Sequence, residues 1–251
     1  MAIVNGTGAA EVARHGKGRG IGMGTMSRRA YRVRMYRWVL AVTVMVSALG
    51  CLTTMAVPAR AIPPESIDLV HAPTRPAADF AALVAYSFGN RIPAGSDPQR
   101  TVGQPGPVNE ALAQKVVETL GGRDIPVYAQ TEIAEVLTSH YHLHHVSEIG
   151  PKRNANGTLK YLSTDGVAAK VAQLRGSSAG TDVIGVIAFS DHLWRSVYTT
   201  RVNGLAAYAP TGIAMPSTYD PHSGQSWTRS ADAYLPRDYA ARLALIPRLL
   251  R

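Results

Sequence analysis

The sequence predicts an α/β domain: a three-layer, Rossmann-like arrangement with a mostly parallel sheet, preceded by an N-terminal signal or anchor segment. Three observations carry this. Short apolar runs rich in Val, Ile and aromatic residues recur at 80–87, 125–129 and 183–189. Segments with helical periodicity come between and after them, at 107–120, 131–139, 164–175 and 191–202. Strands that alternate with helices give a largely parallel sheet covered on both faces. The third observation is that the strand at 183–189 runs straight into the helix at 191–202, the kind of junction that open α/β sheets use.

The net charge of +9 is unevenly placed. Residues 1–61 hold nine Lys/Arg and one acid, whereas residues 62–251 hold 17 basic and 16 acidic residues. A binder of the phosphate backbone needs its basic excess on the folded body, so nucleic acid is set aside as a partner. Cys51 is the single cysteine. The body therefore has no disulfide, no CxxC metal site and no thiol nucleophile.

Four stretches divide the chain. Residues 1–37 read as a disordered basic leader, Gly-rich to residue 25 and then carrying Arg28, Arg29, Arg32, Arg34 and Arg37. Residues 38–61 read as a signal peptide or membrane anchor. The run 38–59 has no charge and, at about 20 residues, is long enough to span a bilayer. Ala59-Arg60-Ala61 fits a small-x-small cleavage pattern. Positive charge before the run predicts a body outside the cytoplasm, secreted or anchored through 38–59. Ser27-Arg28-Arg29-Ala30-Tyr31 resembles a twin-arginine signal with Tyr for Phe, and Ala48-Leu49-Gly50-Cys51 a lipidation site with its Leu and small residue out of order; the plainer reading of both is a basic stretch followed by an ordinary apolar run containing one Cys. Residues 62–79 are Pro-rich and read as a linker, and 80–251 as a single α/β domain.

Within the domain, the first strand at 80–87 leads into a Gly- and Pro-containing loop at 89–107, of a length that often carries function. In the helix at 107–120, Val108, Leu112, Val116 and Leu120 recur every four residues. Pro107 suits its first turn and Gly121-Gly122 ends it. A strand at 125–129 precedes a helix at 131–139 capped by Thr131, and a polar loop covers 150–157. The helix at 164–175 turns Val167, Val171 and Leu174 inward. The central strand, 183–189, runs straight into the helix at 191–202. A short strand at 205–208, a polar-aromatic segment at 209–232 and an amphipathic helix at 236–249 complete the chain.

In such sheets ligands bind where strands end and helices begin, so the candidate residues are those at the junctions. At the central one, Ser190, Asp191, His192 and Arg195 gather. Asp191 can cap the helix, His192 can donate a proton near neutral pH, and Arg195 offers a fork for phosphate or carboxylate. At the first junction, Gly89 and Asn90 can form a tight turn whose backbone approaches a ligand. Ala85-Tyr86-Ser87-Phe88-Gly89 also fits a variant of the serine-hydrolase elbow, with Ser87 as nucleophile and His192 as base. At the second, Gln130, Thr131 and Glu132 open a helix, where Glu132 suits the helix dipole or a ligand hydroxyl. Trp227 and Arg229 belong to a segment able to cover a cleft and stack on a sugar or base. Residues 140–145 hold four of the eight histidines; a solvated edge is favoured over a metal site there, and neither metal nor cofactor is expected.

The order of these features resembles the YdcF/SanA/ElyC-like envelope proteins. The likeness runs over most of 80–210: an apolar strand ending in Gly89, a helix from Asn109, a strand before Gln130 and Glu132, a helix led by Thr164, a strand into His192…Arg195, and Gly204. Gly89-Asn90 replaces the family's Gly-Gly, and Ala129-Gln130-Thr131 its Ser-Gly-Gly. The resemblance implies a Rossmann-like domain outside the cytoplasm, and Gly89, Glu132, Thr164, His192 and Arg195 carry over. The expected function is an exported or membrane-anchored envelope protein. It would bind an anionic phosphate- or sugar-bearing small molecule or lipid-linked precursor at the strand C-termini, with His192, Glu132 and Asp191 as candidate catalytic groups. The alternatives are a secreted serine hydrolase and a non-enzymatic envelope binding module.

Overall fold

The computed structural model describes residues 68–251; the leader, the apolar run and most of the Pro-rich stretch lie outside them. Eight strands and five helices follow in order: β1 (Thr74–Arg75), β2 (Ala82–Ala85), α1 (Gly106–Leu120), β3 (Val127–Gln130), α2 (Thr131–Ser139), β4 (Val146–Ile149), β5 (Lys152–Arg153), β6 (Leu159–Lys160), α3 (Thr164–Arg175), β7 (Val183–Ile187), α4 (Ser190–Val202), β8 (Ala206–Pro210) and α5 (Ala231–Leu249). Six strands form one sheet in the order β1-β8-β7-β2-β3-β4, and every pair in it is parallel. β5 and β6 make a separate antiparallel hairpin.

Alternation along the strands creates the three layers. Leu83 and Ala85 of β2, with Val127, Ala129 and Ile187, point into one core with Leu112 and Val116 of α1 and Ile133 and Leu137 of α2. Ala82, Val84, Ile184 and Val186 point the other way, onto Val167 and Val171 of α3 and Val197 of α4. The fold is thus an α/β, Rossmann-like sandwich with both faces of a parallel sheet buried. One residue of β7 has to be glycine: a Cβ on Gly185 would lie 2.5 Å from Leu83 Cδ2 and 2.6 Å from Phe80 Cδ2. α5 packs outside α4, placing Leu245 and Leu249 against Trp194 and Tyr198.

Local chemistry sets the helix ends. Pro lies in the first turn of α1, and Gly121 closes that helix in the left-handed conformation at φ 55°. Ser163 and Ser230 cap α3 and α5 by accepting from Gly166 N and Ala233 N. Two expected caps are absent. Thr131 is the first residue of α2 and donates to Glu148 Oε1 at 2.7 Å. Asp191 lies inside α4, and its carboxylate accepts from Tyr219. The cap at Ser230 also starts α5 earlier than Pro236, which sits within the helix.

Thr74–Arg75, assigned to the linker by composition, instead pairs with β8 at Ala209 and Pro210. β4, β5 and β6 carried no sequence signal. β4 is an edge strand with Ser147 and Glu148 exposed, so it lacks the apolar run that marks a buried strand. No helix among the described residues is long and apolar enough to cross a membrane.

Candidate functional site

β2 lies between β3, which follows it in the chain, and β7, which returns on its other side. The C-terminal end of β2 is therefore the topological switch point, where doubly wound sheets open a crevice. The chain leaves β2 as Tyr86–Asn90, and two polar groups flank this exit.

The first group lies toward β3. Ser87 N donates to Gln130 Oε1 at 3.0 Å, and Phe88 N to Asn109 Oδ1 at 2.9 Å. Asn109, fully buried on α1, also donates to Gly89 O and Pro105 O at 2.8 and 2.7 Å, fixing both ends of the 86–105 loop. Tyr161 OH accepts from Gly103 N of that loop. Glu132, 1 % exposed, sits at the first turn of α2 with Oε2 unpartnered among the described residues. Burial raises the Glu132 carboxyl above its ordinary range, although Ser87 and Asn90 beside it pull the other way. Burial likewise raises the Tyr161 hydroxyl, with Glu132 adding to the effect. A carboxyl moved up in this way can hold or accept a proton closer to neutral pH.

The second group lies toward β7. His192 is buried, with its ring 6.1, 6.4 and 6.2 Å from the Tyr86, Phe88 and Tyr234 centroids. Burial, followed by the charges of Arg195 and Arg242, pushes the imidazole well below its usual range. Burial thus favours the neutral ring, which argues against the expected proton donor near neutral pH. Thr164 Oγ1 accepts from Arg195 Nη1 at 2.8 Å and lies 3.4 Å from His192 Nε2. Nδ1, on the other side of the ring, is buried without a hydrogen-bond partner among the described residues.

Arg195 is occupied within the molecule. Nε donates to Asp238 at 2.6 Å and Nη2 to Tyr234 OH at 3.0 Å. Asp238, fully buried on α5, also takes Arg242 Nε at 2.5 Å. The geometry gives Arg195 a fastening role between α4, α3 and α5. Asp238, Tyr234 and Arg242 escaped the sequence reading, although their spacing of four on an amphipathic helix was a usable signal. Asn109 gave a similar one, as a polar residue beside Val108 at the start of an inward apolar stripe.

Apart from Asn90, whose side chain lies beside Glu132, the remaining candidates do not converge on Glu132. Gly89 has φ +72°, and a Cβ there would meet Ser223 Oγ at 2.5 Å and Thr228 Oγ1 at 2.8 Å; the molecule's own loop, not a ligand, requires this glycine. Asn90 O accepts from Gly224 N at 2.7 Å, so the 211–230 loop lies on the 86–105 loop. Arg229 Nε donates to Ser223 O at 2.6 Å. Trp227 stays 43 % exposed, with Arg237 5.9 Å from its ring centroid. Ser190 opens α4 and donates its N–H to Pro216 O.

Ser87 is followed by loop rather than helix, and no hydrogen bond joins it to His192 among the described residues, so no nucleophile–base pair forms. In the histidine run, His145 pairs with Asp124 at 2.9 Å. Among the described residues no group of three or more His, Cys, Asp or Glu is placed to hold a metal.

Comparison of the chain with protein-family models, curated proteins and solved structures finds no match.

Proposed function

We propose that this is an exported or membrane-anchored envelope protein that binds a sugar-bearing small molecule or precursor at the switch point. Glu132, Ser87, Asn90 and Tyr161 would contact its hydroxyls. The observation that carries the reading is the buried Glu132 carboxyl, whose Oε2 has no donor among the described residues. A buried acceptor left unpaired costs roughly 1–3 kcal/mol, and a ligand hydroxyl removes that cost. A fully ionised phosphate brings acceptors only, so the sugar part of a ligand suits Glu132 better than its anionic part. With its raised carboxyl, Glu132 is also the group best fitted to exchange a proton with a bound hydroxyl. The expected extracytoplasmic address rests on the charge-free run after the arginines, and the order of features resembling the envelope family points the same way.

The test is calorimetric titration of the full chain with nucleotide sugars, free sugars and inorganic phosphate. Binding should follow the sugar, and Glu132→Gln should weaken it at least tenfold while leaving the thermal transition cooperative. Heat from phosphate alone, or undiminished binding by Glu132→Gln, overturns the reading.

A further inference from the structure

A second cleft, of about 700 Å³, opens between the C-terminal end of β8, the segment 70–74 that leads into β1, and the start of α4. Its lining combines Ser190, Leu193, Trp194, Ile213, Tyr239 and Arg242, and none of the first group's residues is among them. Its volume suits a small molecule, and its walls combine apolar side chains with the polar groups of His71, Ser190, Asp191 and Arg242.

Arg242 is the fixed cation of this cleft. Nε donates to Asp238 and Nη2 to Asp191 O at 2.7 Å, and no hydrogen bond among the described residues uses Nη1. The guanidinium carbon lies 5.3 and 5.4 Å from the Trp194 and Tyr239 ring centroids, so the group is held without any ligand. The lining carboxylate, Asp191, takes Tyr219 OH at 2.6 Å. Two lining residues are unusually exposed for apolar side chains, Val70 at 69 % and Tyr239 at 55 %. An apolar wall with an exposed apolar margin and one preorganised guanidinium matches a chain with a charged end.

We propose that this cleft binds an amphiphilic anion, with an aliphatic chain against Leu193, Ile213 and Tyr239 and a phosphate or carboxylate on Arg242 Nη1. The site is separate from Glu132 and stands whether or not that residue holds a sugar.

The experiment titrates the full chain with octyl, decyl and dodecyl phosphate below their micelle concentrations, with dodecanoate, dodecanol and inorganic phosphate alongside. Affinity should rise roughly fourfold per methylene until the cleft fills. Dodecanol and inorganic phosphate should each bind at least tenfold more weakly than dodecyl phosphate. Comparison of dodecanoate with dodecyl phosphate identifies the preferred head group. Ala214→Trp, a change at an exposed lining position, should block the cleft and lower affinity at least tenfold. Glu132→Gln should leave it unchanged. The N-terminal 61 residues are common to all variants, so binding to them cannot produce the difference between Ala214→Trp and the parent, which is the deciding comparison. Equal binding of dodecanol, no dependence on chain length, or full binding by Ala214→Trp overturns the proposal.

Discussion

His192 and Glu132 are both buried titratable groups, and burial pushes them in opposite directions with opposite consequences for stability. The imidazole is held well below its ordinary value by burial, Arg195 and Arg242. The unfolded chain therefore takes up a proton near pH 6.5 that the folded chain refuses, and stability falls as pH drops through that value. His192→Gln should be less stable than the parent at pH 7, yet lose less stability between pH 7 and 5; urea midpoints across that range check it. An equally steep loss in the variant would mean that His192 is charged in the fold. For Glu132 the folded value lies above the unfolded one. The folded state then binds the proton more tightly, and stability is lost as pH rises from about 4.5 through the raised value. Glu132→Gln should thus show its largest gain in melting temperature at neutral pH, on the order of 2–4 °C per kcal/mol relieved, and little gain at pH 4. The sequence placed both residues at strand–helix junctions, where they are. It could not show their protonation, because that depends on burial and on groups brought in from elsewhere in the chain, Arg242 at His192 and Ser87 and Asn90 at Glu132.

The helices were the most legible elements, since their signals are local. Pro107 and Gly121 bound α1 through their own backbone preferences, and the inward stripe of Val108, Leu112 and Val116 needed no knowledge of the partner. β4 and the β5–β6 hairpin were not legible, because short exposed strands acquire their state from pairing rather than from composition. α5 shows both cases. Its amphipathic face was visible, but the function of Asp238 was not, as Arg195 lies 43 residues earlier. Asp238 binds two guanidiniums whose side chains are 21 % and 14 % exposed, and is itself fully buried. Removing one member of such a cluster leaves charge buried without its counter-ion. Asp238→Ala should cost roughly 3 kcal/mol, read as a lower urea midpoint with α5 amides exchanging early. A loss under 1 kcal/mol would show that the two arginines reach solvent and that α5 is held mainly by Leu245 and Leu249.

At the scale of the molecule, alternating elements were enough to predict a parallel, doubly covered sheet, but not the order β1-β8-β7-β2-β3-β4, which follows from long-range pairing. The same limit hid the contact between the two long loops. The 86–105 loop and the 211–230 loop meet over the exit of β2 through Arg91 and Asp220, at 2.6 and 2.8 Å. Arg91 holds the Asp220 carboxyl below its usual range, and His222 N adds to this. Gly224 N on Asn90 O and the stretch around Ser223 complete the contact. Neither loop belongs to the sheet, so their joint opening need not unfold it. Arg91→Met keeps the aliphatic stem and removes the charge. In hydrogen exchange it should speed the amides of Gly224, Arg91 and Gln104 by about tenfold or more while those of β2 and β7 keep their protection. Because the Arg91 side chain is 40 % exposed, added salt should speed the same amides in the parent, though less than the substitution does. Exchange rising equally in the sheet would mean that the loops and the core open as one unit. The C-terminal edge would then be a rigid floor rather than a surface covered by two loops able to part.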